Sequence, residues 1–190
     1  MGKRVFIVHR WDGSPNADWY AWLKRSLQSR GFQAMVPEMP NPDQPRIMDW
    51  VNRLRELVRT PDKETYFVGH SVGCQTILRY LQTADKPVGG ALFVAPWLSL
   101  KNLESAEEKQ IAKPWLENPV DFGRVKQNCP KMCAIFSDDD PCVPLEENVS
   151  QFKQMLNAKI VVEKLMGHFT QDDDVVELPI ALKEFQALAK

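Results

Sequence analysis

The sequence has no long run of apolar residues and no excess of one charge. The apolar run 5–8 near its start is too short for a secretory signal, and no stretch approaches the ~18 residues of a membrane span. Lys and Arg number 24 against 25 Asp and Glu, which leaves a net charge of -1. A basic surface that attracts nucleic acid or anionic lipid is therefore not expected. We predict neither a nucleic-acid nor a membrane partner.

Cysteine is scarce, and its spacing is unlike that of a zinc site. The four cysteines include no Cys-x-x-Cys pair and no histidine at ligand spacing: Cys74, Cys129, Cys133 and Cys142. Nucleotide-binding patterns are also missing, both G-x-G-x-x-G after the first apolar run and G-x-x-x-x-G-K-[ST] anywhere. We predict free thiols, a cytoplasmic location, no metal site and no cofactor.

What the chain does contain is a regular alternation of apolar and amphipathic segments. Its 190 residues are 44% hydrophobic and 26% charged, as in one globular domain spanning 1–190. The pattern predicts strands at 5–8, 33–36, 65–68, 91–95, 132–136 and 159–163. It predicts helices at 18–30, 47–59, 74–82, 145–156 and 175–189. Apolar strands that alternate with helices indicate an α/β fold with about six mostly parallel strands and helices on both faces.

One connection is much longer than the others. The segment 96–128 separates the fourth and fifth strands, and a connection of this length is more often a functional insert than a featureless loop. It leaves the carboxyl end of the fourth strand, where ligands bind in open parallel sheets. We therefore predict that it forms a short cap over the functional site.

The third strand runs directly into the pentapeptide Gly-His-Ser-Val-Gly, residues 69–73. A G-x-S-x-G sequence between an apolar strand and a helix is typical of a nucleophile elbow. The sharp turn forces Ser71 into strained dihedral angles, and Gly69 and Gly73 remove side chains that would collide. The start of the helix also directs free N–H groups, that of Val72 first, at an oxyanion near Ser71.

A serine hydroxyl needs a base and an orienting acid, and both follow along the chain. Asp138, Asp139 and Asp140 come after the fifth strand, and His168 after the sixth. The order Ser, Asp, His on successive loops is that of a catalytic triad in α/β-hydrolases. Three consecutive carboxylates repel one another, so they cannot all point inward.

The motifs Gly-His-Ser-Val-Gly, Asp-Asp-Pro-x-Val-Pro and Gly-His-Phe resemble the small serine hydrolases of the retinoblastoma-binding-protein-9 and YdeN type. The resemblance covers nearly the whole chain and implies a compact α/β-hydrolase fold. In that family the acid directly precedes Pro-x-[Val/Leu]-Pro, which implies Asp140. Asp139 is the second choice and Asp138 the third.

The loop after the first strand is expected to supply a second oxyanion donor. Many such hydrolases have His-Gly there and donate the next N–H group, which corresponds to Trp11. Arg10 replaces the glycine in this sequence, so the identity of the second oxyanion donor stays undecided. The Arg10 side chain could bind a substrate carboxylate or pair with a residue of the protein. Trp97 and Trp115 could line a substrate pocket, although core packing is almost equally compatible. The aspartates 172–174 are expected to cap the last helix.

Together these residues predict a metal-independent serine hydrolase that cleaves a small carboxylic ester. Ser71 attacks the acyl carbon, His168 carries the proton, and Asp140 orients the imidazole. An amidase, a peptidase or a thioesterase could use the same triad, because the leaving-group preference depends on pocket shape. A protein-binding module on a hydrolase scaffold is the alternative from another class. The sequence does not predict the oligomeric state.

Overall fold

A computed structural model describes residues 2–190 and centres them on one six-stranded parallel sheet. The strand order is β2-β1-β3-β4-β5-β6. The strands are β1 (Arg4–Val8), β2 (Gln33–Met35), β3 (Thr65–His70), β4 (Gly90–Val94), β5 (Met132–Ser137) and β6 (Lys159–Glu163). The predicted α/β class and the six parallel strands are confirmed.

Helices cover both faces of the sheet, as the apolar strands predict. They are α1 (Tyr20–Gln28), α2 (Ile47–Val58), α3 (Val72–Leu81), α4 (Ala106–Glu117), α5 (Phe122–Asn128), α6 (Leu145–Leu156) and α7 (Pro179–Leu188). Successive residues of a strand point to opposite faces. Val5 and Ile7 of β1 therefore join a core with α1 and α7, whereas Phe6 and Val8 pack with α2, α3 and α6.

The strand order creates a binding crevice between β1 and β3. The chain leaves β1 toward α1 on one face and enters β3 from α2 on the other, so the connections diverge between neighbouring strands. Ligands bind in open α/β sheets at such switch points, beyond the carboxyl ends of the strands. The loops after β1 and β3, which carry Trp11 and Ser71, therefore meet at the crevice.

The last helix differs from its prediction. It begins at Pro179, because proline is well suited to the first helical position and lacks the N–H group that would be unpaired there. The aspartates 172–174 lie several residues earlier, partly in a 3-10 turn over Gln171–Asp173. The prediction that they cap α7 was wrong. Asp173 instead accepts hydrogen bonds within the loop that carries His168.

Candidate active site

Ser71 lies at the sharp turn between β3 and α3. Its backbone has φ 52° and ψ -118°, a conformation that L-residues rarely adopt and that is tolerated where the surrounding structure enforces it. A Cβ at Gly73 would lie 2.3 Å from the carbonyl oxygen of Val8, and one at Gly69 would lie 2.8 Å from the backbone nitrogen of Cys74. The two glycines are therefore needed for the turn to pack against β1 and α3.

Asp140 and His168, the predicted acid and base, lie on the loops after β5 and β6. His168 Nδ1 lies 2.8 Å from Asp140 Oδ2, and the Asp140 side chain is almost fully buried. The other carboxylate oxygen, Oδ1, accepts the backbone N–H groups of Cys142 and Val143 at 2.8 and 3.0 Å. Three hydrogen bonds thus fix the carboxylate, and its bond to Nδ1 leaves Nε2 of the imidazole for a substrate-side proton.

The two neighbouring aspartates have a different task. Asp139 accepts the hydroxyl of Ser137 and the N–H group of Gly167, and the Ser137 bond lowers the pKa of this carboxyl. Asp138 accepts the N–H group of Leu165. Both side chains are exposed and join the β5 loop to the loop that carries His168. Of the three aspartates, Asp140 is the one beside His168.

The loop of His168 is held from a second side by Asp173. Asp173 Oδ2 accepts the N–H groups of His168 and Thr170 at 2.9 and 3.0 Å, and the Thr170 hydroxyl at 2.7 Å. Our sequence analysis missed this role. The spacing Thr170-x-x-Asp173, typical of a capping box, is the signal that could have identified it.

A buried chain of polar groups supports the same loop from below. His70 donates from Nε2 to the carbonyl oxygen of His168 at 2.8 Å, and its Nδ1 accepts the Tyr20 hydroxyl at 2.6 Å. Burial, reinforced by the neighbouring imidazole of His168, lowers the pKa of His70 to about 3, so the His70 imidazole stays neutral. His70 therefore acts as a fixed, uncharged support that does not change its protonation near neutral pH.

Ser71 and His168 open into one cavity of about 380 Å³. Its remaining lining residues come from the loop after β1, the elbow, the insert 96–128 and the β5 and β6 loops: Arg10, Trp11, Asp12, Val72, Trp97, Leu100, Asn102, Leu103, Glu108, Cys142 and Thr170. Within residues 2–190, the backbone N–H groups of Val72 and Trp11 have no hydrogen-bond acceptor. Both border the cavity with a free donor, as an oxyanion site requires.

Arg10 is paired inside the protein. Its Nε lies 2.9 Å from Oδ2 of Asp18, whose side chain is fully buried and also accepts the N–H group of Gln171. Burial opposes ionisation of Asp18, but the Arg10 hydrogen bond holds the pKa of that carboxyl below its usual range. The structure therefore supports local pairing of Arg10, because Asp18 already neutralises its charge at the edge of the cavity.

The two tryptophans proposed for the pocket occupy different places. Trp97 lines the cavity, and its indole N–H donates to Ser71 Oγ at 3.3 Å. Trp115 is buried away from the cavity, where its indole donates to the carbonyl oxygen of Pro45 and packs edge-on against Trp50. Trp115 therefore does not line the cavity into which Ser71 opens, because α4 directs its ring into the core.

Nucleophile and base side chains of a triad usually lie within hydrogen-bond reach, but among residues 2–190 Ser71 and His168 form no hydrogen bond. Across residues 2–190, the hydrogen bond to Ser71 Oγ comes from Trp97 alone. Ser71 Oγ accepts in that bond, so the hydroxyl proton is still available. In enzymes generally, catalytic hydrogen bonds are often long or poorly aligned before substrate binds and tighten in the substrate complex.

Two further properties of the described residues concern metal ions and membranes. No three His, Cys, Asp or Glu side chains in the described part of the chain are grouped as metal ligands. From residue 2 to residue 190, none of the helices combines the length and the apolar character required to cross a bilayer.

Comparison with known proteins identifies the family. A family model described as "Serine hydrolase" matches residues 5–187. The chain belongs to the serine hydrolase family. The chain is 33% identical over 183 residues to YdeN of Bacillus subtilis (strain 168), which covers 95% of this chain and 93% of YdeN. It is also 29% identical over 152 residues to the serine hydrolase RBBP9 of Rattus norvegicus, covering 80% and 77% of the two chains.

Solved structures support the same assignment of fold. The structure of the B. subtilis ydeN gene product matches this serine hydrolase with a TM-score of 0.88, at 30% identity and with 98% of both chains covered. Est1E from Butyrivibrio proteoclasticus, solved with ferulic acid bound, matches with a TM-score of 0.75 at 16% identity, which bears on the fold alone. The α/β-hydrolase fold and the predicted family are confirmed.

Proposed function

We propose that this protein hydrolyses small carboxylic esters through an acyl-enzyme formed on Ser71. The observation that carries the proposal is the 2.8 Å contact between His168 Nδ1 and buried Asp140, at the cavity into which Ser71 opens. A base oriented by a buried carboxylate beside a strained elbow serine is the arrangement that activates a hydroxyl. Membership of the serine hydrolase family supports a hydrolase activity.

The proposed reaction has two steps, acylation of Ser71 and hydrolysis of the acyl-enzyme. Ser71 Oγ bonds to the acyl carbon while its proton moves to Nε2 of His168, and the carbonyl electron pair moves onto the oxygen. The N–H groups of Val72 and Trp11 stabilise that oxyanion. The carbonyl then re-forms, and the bond to the leaving oxygen breaks as His168 gives its proton to that oxygen, so that an alcohol leaves. Water next attacks the acyl carbon while one of its protons moves to His168. The bond to Oγ then breaks, His168 returns the proton to Oγ, and the acid is released.

The cavity favours a small, uncharged substrate. Its volume of about 380 Å³ is near the lower end for small-molecule sites. Leu100, Leu103 and Trp97 provide apolar walls for an acyl group, and they come from the insert 96–128. Asp12 and Glu108 line the cavity too, whereas the charge of Arg10 is taken up by Asp18. An anionic acyl group would therefore meet two carboxylates and no free cation.

Covalent labelling provides the direct test. A fluorophosphonate should add one adduct to the protein, and peptide mapping should place that adduct on Ser71. Ser71→Ala should abolish the adduct, whereas Ser29→Ala, which changes an exposed serine at the end of α1, should leave it unchanged. Turnover of p-nitrophenyl esters of increasing chain length then defines the acyl preference. Absence of an adduct, or one that persists in Ser71→Ala, would favour the protein-binding alternative.

Amide and thioester substrates separate the remaining alternatives. All use the same triad, so a matched set of ester, anilide and thioester with one acyl group isolates the leaving-group preference. We expect the ester to be the best substrate by kcat/KM. A faster anilide or thioester would reassign the reaction without changing the roles of Ser71 and His168.

We also propose a reducing compartment, in accord with the four free cysteine thiols. Three of these thiols are buried: Cys74, Cys129 and Cys133. Burial raises the pKa of all four, so they are weak nucleophiles and not competitors for the proposed role of Ser71.

A further inference from the structure

Trp97 contacts the oxygen that would react. Its indole Nε1–H donates to Ser71 Oγ at 3.3 Å, and the whole residue is buried to about 2% exposure. Buried indole groups are usually satisfied by a carbonyl oxygen, as for Trp50 Nε1, which donates to the carbonyl of Pro40. The donor of Trp97 is instead directed at the nucleophile.

The backbone of Trp97 is held by a buried side chain of the elbow helix. Gln75, in the first turn of α3, donates from Nε2 to the carbonyl oxygen of Trp97. The Gln75 side-chain oxygen in turn accepts Nη1 of Arg79, one turn further along the helix. Gln75 and Arg79 are 1% and 3% exposed, so a short internal chain connects the tryptophan to α3.

Arg79 extends this chain into the insert 96–128. Its Nη2 donates to the carbonyl oxygens of Trp115 and Asn118 at 2.7 and 2.9 Å. Arg79 has no carboxylate partner within residues 2–190, and burial lowers its pKa to about 10. A buried guanidinium that binds only neutral acceptors is costly, and here it fixes the insert and Gln75 relative to the elbow.

We infer that Trp97 is a positioning residue for the nucleophile, held in place by Gln75 and Arg79. This inference rests on the proposed function of Ser71. The indole N–H occupies one lone pair of Ser71 Oγ, which fixes the side chain and leaves the hydroxyl proton free for His168. As that proton leaves, negative charge grows on Oγ, and the indole donor stabilises it more strongly than the neutral hydroxyl. The indole itself exchanges no proton.

A positioning residue and a pocket wall have different kinetic effects. A wall residue mainly changes substrate affinity, whereas a donor to the reacting oxygen changes the rate of bond formation at that oxygen. Trp97→Phe keeps an aromatic ring but removes the donor. We expect it to lower both kcat and the rate constant for fluorophosphonate labelling of Ser71 by roughly tenfold, with KM within about twofold.

Trp50→Phe is the matched control. Trp50 is also buried, also makes one indole hydrogen bond, and does not line the cavity. It should keep wild-type labelling, and thermal unfolding followed by circular dichroism should show both variants folded. Labelling of Trp97→Phe at the wild-type rate, or faster, would overturn the inference. A change in KM without a change in kcat would also overturn it.

Two measurements avoid dependence on that single variant. Gln75→Glu keeps an acceptor for Arg79 but removes the donor to the Trp97 carbonyl, and it should slow labelling severalfold. In ¹H–¹⁵N spectra, the Trp97 indole resonance should move in Ser71→Ala and after phosphonylation, while that of Trp50 stays in place. A stationary Trp97 resonance would overturn the inference. Failure of the wild-type protein to label at Ser71 would instead refute the proposed function.

Discussion

Asp140 Oδ2 lies 2.8 Å from His168 Nδ1, and the same carboxylate accepts two backbone N–H groups through its other oxygen. The Asp140 carboxylate is thus fixed by its own loop independently of its contact with the imidazole. This arrangement holds the histidine in the tautomer that carries a proton on Nδ1. The orientation of His168 therefore depends on a carboxylate that belongs to a different strand and a different loop.

Replacing the proposed acid should abolish most of the activity. Asp140→Asn keeps the size of the side chain, but its amide can turn an N–H group toward Nδ1 and favour the wrong tautomer. We expect kcat to fall by about 10⁴, the magnitude seen for the equivalent change in serine proteases. Asp139→Asn is the matched control, because its exposed side chain can still accept from Ser137 and Gly167. A larger loss in Asp139→Asn would contradict the assignment of the acid.

The support of the His168 loop by Asp173 can be tested separately. Asp173→Ala removes the acceptor of two backbone N–H groups and one hydroxyl. We expect kcat/KM to fall by roughly ten- to a hundredfold, because the imidazole is no longer held in position. Asp172→Ala changes the neighbouring exposed carboxyl and should have little effect. Equal activities of the two variants would show that Asp173 is not needed to orient His168.

Buried His70 should make the protein less stable in acid. Burial lowers its pKa to about 3, whereas a histidine in an unfolded chain titrates near ~6.5. Below pH 6.5 the unfolded state therefore binds more protons, and the free energy of unfolding should decrease as the pH falls from 6.5 toward 3. This one group contributes about 1.4 kcal/mol per pH unit in that window.

The contribution of His70 is measurable by urea unfolding between pH 7 and 5. His70→Gln keeps a side chain that can donate and accept but does not titrate. The slope of its free energy of unfolding against pH should correspond to about one proton fewer taken up on unfolding than in the wild-type protein. An unchanged slope would show that His70 titrates normally in the folded protein.

The pairing of Arg10 with Asp18 predicts a role in stability. Arg10→Gln leaves the fully buried Asp18 carboxylate without its cation, which should lower the free energy of unfolding by about 2–3 kcal/mol. Arg53→Gln, which removes an exposed ion pair with Glu56, should change it by less than about 0.5 kcal/mol. If Arg10→Gln is as stable as wild type but turns over anionic esters more slowly, Arg10 binds substrate after all.

The apolar wall from the insert predicts sensitivity to acyl length. Leu103 lines the cavity with Ser71, so Leu103→Trp should reduce kcat/KM for p-nitrophenyl octanoate relative to the acetate by roughly tenfold. Leu116→Trp makes the same change on an exposed residue of the insert that does not line this cavity. The same reduction in both variants would place the acyl group outside the cavity.

The sequence predicted those parts of the fold that depend on local patterns. An apolar run such as that of β1 indicates a buried strand without reference to distant residues, and the glycines around Ser71 indicate a sharp turn in the same way. The strands and the elbow could therefore be located from the sequence. The start of α7 was misplaced, because Asp173 could satisfy either a helix end or a loop. The Thr170-x-x-Asp173 spacing was a local signal in favour of the loop.

Contacts between segments that are distant along the chain could not be predicted from the sequence. Asp18 lies 8 residues from Arg10 and binds it, yet it also accepts from Gln171 at a separation of 153 residues. Arg10 could therefore be interpreted equally as a ligand group. Likewise, nothing local to Trp97 or Trp115 indicates that one indole is directed at Ser71 and the other into the core.

The hydrogen bonds that hold His168 come from the β5 loop, from His70 and from its own loop, and none comes from the insert 96–128. The insert does reach the loop of Asp140, because Lys101 and Asn102 donate to the carbonyl oxygens of Cys142 and Pro141. With those contacts kept, exposed positions of α4 can change in sequence without removing a hydrogen bond that holds His168. Substrate range could diverge between related enzymes through this segment while the chemistry is retained. Grafting the corresponding insert of a relative, with Trp97 kept, is a practical route to altered specificity.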